Sequence, residues 1–268
     1  MAIKLLATDL DGTILIDRGV EGSHSTPRLK SALRALQARG VVVCLASGRM
    51  HESIRHIGTE MGVGGPVISY NGAMLRGGDD QVWDHHTLQA EVAAEVAALA
   101  EARHLPLNYY LDGILYARKI QPWWDLYQGR TSSPMQAVES HRGFAGRRPT
   151  KLLIHTQPAA VLALRDELAG PLTERCHMEI TSDEYLEFMP LGVDKGLALA
   201  ELAGRLGLRC DEVAAAGDGW NDLGMLAWAG TSIAMANGRQ ELRERAGTVV
   251  AGPEDDGLAA WIEQNLLG

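Results

Sequence analysis

The chain has 268 residues, 46% of them apolar and 22% charged, with a formal net charge of −9. That length admits two domains, or one core with a large insertion, and the composition is that of a soluble globular protein with no apolar run long enough to cross a bilayer. The acidic balance, without a strongly basic stretch, argues against nucleic-acid partners, and the scattered Cys44, Cys176 and Cys210 form neither a CxxC pair nor a disulfide framework.

An apolar segment begins almost at once, so no signal or transit peptide is expected and a cytoplasmic location follows by default. Ile3 to Ala7 reads as a parallel strand buried on both faces, and it runs into Asp9 and Asp11 within the stretch IKLLATDLDGT. Side chains two apart on an extended chain point the same way, which directs both carboxylates to the crevice beyond the strand's C-terminal end. Like charges so placed call for a shared proton or a cation, and a hard divalent ion such as Mg²⁺ suits carboxylate oxygens. The competing reading is a polar turn, because Asp-Gly is an ordinary turn signal.

Thr26-Pro27 starts a helix with Leu29, Leu33 and Leu36 on one face and Gly40 as its stop. Residues 41–46 form a second apolar strand ending in Ser47-Gly48-Arg49, before a helix carrying Ile54, Ile57 and Met61. A third strand, Pro66 to Tyr70, ends in Asn71-Gly72, which completes the alternation of a parallel sheet.

The pattern then changes. An alanine-rich helix over 88–103 is followed by LNYYL and ILYAR flanking Asp112-Gly113, the favoured hairpin turn. A strand from Lys151 to Thr156, a helix from Pro158 to Leu168 and strands near 177–181 and 185–189 follow. Residues 80–187 are therefore expected to form an inserted α+β domain, with 1–79 and 188–268 as one discontinuous core. Within the insert, 130–149 reads as a loop, and Trp123-Trp124 as a buried anchor in preference to a stacking surface for substrate.

From Asp194 the parallel pattern resumes, with a helix over 195–206, strands at 212–216, 231–235 and 248–250, a helix from about 221 and a closing helix with Leu258, Trp261, Ile262 and Leu266. Gly217-Asp218-Gly219-Trp220-Asn221-Asp222 brings another carboxylate, Asp218, to the sheet edge of Asp9 and Asp11, although Asn221 or Asp222 could simply cap the next helix. Lys195 falls in a first helical turn, where a cation opposes the helix dipole; such a conflict points to function, the alternative being an exposed surface lysine. Ser47 and Gly48 offer a hydroxyl and a main-chain N–H near a helix start, a common anion site. His51, His56, His85 and His86 have no metal-binding spacing and read as surface or structural.

Four motifs, Asp9-Leu10-Asp11-Gly12-Thr13, Ala46-Ser47-Gly48-Arg49, Asp194-Lys195-Gly196 and Gly217 to Asp222, in this order around a large insert, resemble the haloacid dehalogenase superfamily of phosphatases, in its Cof-like branch with a large α/β cap (type IIB). Ser69-Tyr70-Asn71-Gly72-Ala73 and the EFMPLGV stretch at 187–193 resemble the places where that branch leaves and re-enters its core. The resemblance implies a Rossmann-like parallel-sheet core, discontinuous, with an inserted α+β cap that closes on hinges at 74–84 and 187–194. It also implies a Mg²⁺-dependent phosphatase for a small phosphate ester: a sugar phosphate first, with pyridoxal phosphate or flavin mononucleotide as other options.

Carried over by motif, the resemblance makes Asp9 the nucleophile, forming an aspartyl-phosphate, and Asp11 the general acid and base. Ser47, with Gly48, and Lys195 would hold phosphoryl oxygens, and Asn221 would contact the phosphate. Asp9, Asp218 and the main-chain carbonyl of Asp11 would bind Mg²⁺, with Asp222 supporting them. The segment Ala234-Met235-Ala236-Asn237-Gly238 departs from the family pattern, so Asn237 stays outside the catalytic set, and Trp220 either narrows the site or packs. No nucleic-acid or membrane partner is expected, and a monomer or a homodimer is compatible. A phosphomutase would carry the same motifs. A metabolite-binding protein without turnover is the remaining alternative, and the presence of Asp9, Asp11, Lys195 and Asp218 argues against it.

Overall fold

A computed structural model describes residues 2–17, 23–125 and 134–268. The first apolar run forms β1 (Leu5–Thr8), buried along its whole length. A short antiparallel pair follows, β2 (Ile16–Asp17) and β3 (Ser23–His24). Thr26 caps α1 (Pro27–Ala38) by accepting from the Leu29 N–H, and Pro27 occupies the first turn, where its missing donor costs nothing. Then come β4 (Val42–Ala46), α2 (His51–Met61), which Gly62 closes in a left-handed conformation, and β5 (Val67–Ser69). Two strands that the sequence pattern does not announce, β6 (Met74–Arg76) and β7 (Val82–His85), extend the sheet beyond β5, with β6 antiparallel to it.

The insert follows: α3 (Ala90–Ala102), β8 (Leu107–Leu111), β9 (Ile114–Ala117), β10 (Met135–Ala137), β11 (Lys151–His155), α4 (Pro158–Leu172), β12 (His177–Ser182) and β13 (Tyr185–Met189). The core resumes with α5 (Lys195–Arg205), β14 (Val213–Gly217), α6 (Leu223–Trp228), β15 (Thr231–Met235), α7 (Gln240–Arg245), β16 (Thr248–Val250) and α8 (Gly257–Ile262).

The core sheet runs β16-β15-β14-β1-β4-β5-β6-β7, parallel from β16 to β5. Because successive side chains alternate, Leu6 packs into one apolar layer with α1, α2 and α8, while Leu5 and Ala7 pack into the other with α5, α6 and α7. Both faces are thereby covered, which is why β1 reads as a continuous apolar run. Cys44 lies within this core, Cys176 is buried in the insert and Cys210 is exposed. Among the described residues no helix is long and apolar enough to cross a membrane.

The chain divides into two compact units, Met1–Asp84 with Asp194–Gly268, and His85–Val193. The units change at 84/85 and 193/194, where 79/80 and 187/188 were expected; residues 74–85 hold β6, β7 and the turn between them, in the core sheet. The inserted unit has a six-stranded sheet, β10-β9-β8-β11-β13-β12, antiparallel except where β10 meets β9. Its helices α3 and α4 bury Tyr109, Ile154 and Phe188 on one face. Lys151 and Glu187, at alternate positions, form a buried ion pair at 2.9 Å. Trp123 and Trp124 are half-buried rather than buried, with Trp123 against His155 and Lys119 over the Trp124 ring. The expected loop at 130–149 is interrupted by β10 and by a helical turn at His141–Phe144; its first residues lie outside the described ones.

Gly72 follows β5 with φ of 101°, and a Cβ there would collide with the carbonyl of Asp194. Gly72→Ala therefore combines an unfavourable backbone conformation with displacement of the start of α5. It is expected to lower unfolding stability by about 2–4 kcal/mol, read as a reduced urea midpoint with unchanged slope.

Candidate active site

The core sheet presents the C-terminal ends of β1, β4, β5 and β14 along one edge, and the polar residues that follow these strands meet there. Asp9 comes directly after β1, held by its N–H to the Ala216 carbonyl at 2.9 Å, and is nearly inaccessible. Ser47 follows β4, with its N–H on the Ile68 carbonyl at 2.9 Å. Asp218 follows β14.

Lys195 is not the surface lysine that its place in a first helical turn permits. It is fully buried, and Nζ donates to Asp9 Oδ1 at 2.5 Å and to Asp222 Oδ1 at 2.7 Å. The start of α5 is secured by Asp194, whose Oδ1 accepts from the N–H groups of Gly196 and Leu197. Burial alone would favour loss of the lysine proton, but the charges of Asp222 and Asp9 outweigh it and hold the pKa above the ordinary lysine value. The Asp9 carboxyl is pushed well above the usual carboxylate range by burial first and by the Asp222 charge next, with Lys195 opposing both.

Asp222 ties the turn after β14 together: its Oδ2 accepts from the N–H groups of Asp218 and Gly219, each at 2.9 Å. The side chain of Asp222 does not cap α6, as a cap would require bonds to N–H groups after it; it reaches back into the preceding turn and across to Lys195. Asp218 accepts from the Thr13 hydroxyl at 3.0 Å. Gly12, with φ of 80°, passes so close that a Cβ would lie 2.5 Å from Asp218 Oδ2. Burial, then the Asp222 charge, raise the Asp218 carboxyl to about 6.

Oxygens of Asp9, Asp218 and Asp222 lie within 4.8 Å of one another. When ionised, three carboxylates against the one ammonium leave two negative charges in excess, and an all-oxygen set with that excess fits a hard divalent cation. Asp11 departs from the expected placement beside Asp9. β1 ends at Thr8, the alternation of an extended strand stops there, and the Asp11 carboxylate instead pairs with Arg49 at 2.5 and 2.8 Å, half exposed. Ser47 is buried, and its hydroxyl accepts from the Arg49 N–H at 3.2 Å. Asn221 Nδ2 donates to Asn71 Oδ1 at 2.9 Å.

Sequence reasoning gave no role to Thr13, Arg49 or Asn71. Thr13 and Arg49 lie inside the four motifs singled out, and Asn71 inside the stretch that resembles the exit from the core. Asn237 donates to the Gly12 carbonyl at 2.8 Å, so it supports the loop that carries Asp11. Trp220 is 47% exposed.

A family profile described as haloacid dehalogenase-like hydrolase matches residues 6–262. The chain is 26% identical to the 5-amino-6-(5-phospho-D-ribitylamino)uracil phosphatase YitU of Bacillus subtilis over 271 residues, 97% of this chain and 96% of that protein. It is 26% identical to the phosphatase YwpJ of the same organism, covering 98% and 100%. Among solved structures, a haloacid dehalogenase-like hydrolase from Bacteroides thetaiotaomicron superposes with a TM-score of 0.89 at 26% identity, covering 98% of this chain and 99% of that one.

A carboxyl that binds its proton more tightly in the folded chain stabilises that chain in acid, and the increment from Asp218 is lost as pH rises from 3.8 to about 6. A cation needs the ionised form, so its stabilisation runs the opposite way. Mg²⁺ is expected to raise the thermal midpoint more at about pH 7.5 than at about pH 5. Equal shifts at both would count against a cation among these carboxylates.

Proposed function

The chain belongs to the haloacid dehalogenase-like hydrolases, and from that premise we propose a Mg²⁺-dependent phosphatase that hydrolyses a small phosphorylated metabolite through an aspartyl-phosphate on Asp9. Its class of activity is phosphoric monoester hydrolysis, as its relatives' names state for them. The observation that carries the finer reading is the buried Asp9–Lys195–Asp222 arrangement with Asp218 beside it, at the edge where parallel sheets bind ligands.

Asp9 is kept close to a permanent positive charge, and among the described residues its Oδ2 has no hydrogen-bond partner, so that atom is available for attack. It attacks phosphorus as the ester P–O bond breaks, and the departing oxygen takes a proton from Asp11. Water then gives a proton to Asp11 and attacks the same phosphorus, which breaks the bond to Asp9 and releases inorganic phosphate. Ser47, Gly48, Asn221 and Lys195 hold the phosphoryl oxygens, where fixed charge and dipoles supply most of the acceleration. Asp9, Asp218 and the Asp11 carbonyl would hold Mg²⁺, which when bound neutralises the excess charge and polarises a phosphoryl oxygen. Asp222 supports the set by keeping Lys195 and the Asp218 turn in place.

The acid–base role of Asp11 requires its pair with Arg49 to part when substrate arrives; both side chains are accessible enough for that exchange. The inserted unit carries none of the acidic cluster and is read as the part that selects the leaving group. Sugar phosphates and ribityl phosphates are the first class to assay, the latter because of the substrate named for YitU.

Phosphate release from a generic aryl phosphate should require Mg²⁺ and stop on chelation. Asp9→Asn is expected to lower turnover by at least about 1,000-fold, and Asp11→Asn by about 100- to 10,000-fold. A folded Asp9→Asn protein that keeps its activity would remove Asp9 as the nucleophile.

A further inference from the structure

Three consecutive residues after β5, Tyr70, Asn71 and Gly72, have positive φ of 52°, 54° and 101°. Glycine adopts such values freely, but tyrosine and asparagine do so at a cost, and the surrounding contacts must hold them there. Asn71 is 3% exposed. Its N–H donates to the Ser47 carbonyl at 3.1 Å, and the Tyr70 N–H donates to the Arg49 carbonyl at 3.1 Å. Its side-chain Oδ1 accepts from Asn221 Nδ2 at 2.9 Å. Gly48 lies against the same amide so closely that a Cβ would sit 2.8 Å from Oδ1 and 3.1 Å from Nδ2. The next residue, Gly72, abuts the Asp194 carbonyl, immediately before Lys195.

One left-handed turn thus touches all three segments that carry phosphate-holding groups, and Asn71 is the residue whose side chain joins two of them. We propose that Asn71 is a positioning residue, whose amide fixes Asn221 and seats the Ser47–Gly48 turn so that both address the same phosphoryl group. The inference rests on the phosphatase reading above. An amide suits the position: it supplies an acceptor for Asn221, tolerates the left-handed backbone, and places no charge beside a phosphate. Serine would be too short to reach, and aspartate would add a repelling charge.

The test is a double-mutant cycle with Asn71→Gly, which keeps the backbone conformation while deleting the amide, and Asn221→Ala, read through kcat/KM and inhibition by inorganic phosphate. Each single change is expected to lower kcat/KM by about 10- to 100-fold and to weaken phosphate inhibition. Because Asn71 acts in large part through Asn221, the double variant should fall no more than about threefold below the poorer single. An Asn71→Gly enzyme within about twofold of wild type, or losses that multiply in the double, would overturn the proposal. If Asn71→Gly does not unfold cooperatively, Asn71→Ser takes its place, since it withdraws the acceptor from Asn221 without adding a charge. Raised KM and weaker phosphate inhibition in that variant support the proposal, and unchanged values overturn it. Asp9→Asn separates the two levels: if it is inactive while Asn71→Gly is normal, the phosphatase reading stands and this one falls; if it is folded and active, the parent reading falls.

Discussion

A fully buried ammonium is the constraint around which the core is arranged. Lys195 has no access to water, and a lone charge in that setting would be lost to deprotonation or would prevent folding. Asp9 and Asp222 make it tenable, and each is held in turn by main-chain groups, Asp9 through the Ala216 carbonyl and Asp222 through two N–H donors of its own turn. Removing one partner from such a set typically costs about 3–5 kcal/mol, because the remaining charge stays buried. The same arrangement leaves negative charge in excess at Asp218, so the cluster is internally stable around lysine yet electrostatically incomplete. The Lys151–Glu187 pair in the insert differs in that one cation meets one carboxylate.

Close backbone approach is the second requirement. Gly12 lies against the Asp218 side chain, Gly48 against the Asn71 amide and Gly72 against the Asp194 main chain, and an added Cβ at each would force a neighbour to shift. The polar residues at the ends of separate strands therefore converge on one small volume, although each is short and rooted in its own turn.

Much of this was legible in the sequence because the parallel core obeys simple rules. Continuous apolar runs gave β1 and β4, the resumed strand–helix alternation gave β14 and β15, and Thr26-Pro27 gave the start of α1. The hairpin of β6 and β7 was missed since each strand is short and lacks alternation, and with it the crossing into the insert was placed a few residues early. At the strand ends, residue types and spacing singled out Asp9, Ser47, Lys195 and Asp218 as candidates, but not what each side chain touches. Lys195 could be placed in a first turn, while its burial depends on segments far along the chain. Asp11 was expected to share a direction with Asp9, an inference valid only while the strand continues, and it stops at Thr8. Asn71 was invisible as a site residue because its partner, Asn221, is 150 positions away.

The order of strands also bears on how the protein is made. β1 lies between β4 and β14, and the bond from Lys195 to Asp9 spans 186 positions. During synthesis the first strand can pair with β4 early, but its other edge stays open until residues 213–217 have left the ribosome, after the whole inserted unit. The charged cluster is therefore among the last features to assemble, and the nascent chain carries an unpaired apolar edge and an uncompensated Asp9 through most of its translation. A truncated chain that ends within the insert would retain that open edge, a natural point for chaperone engagement or for aggregation.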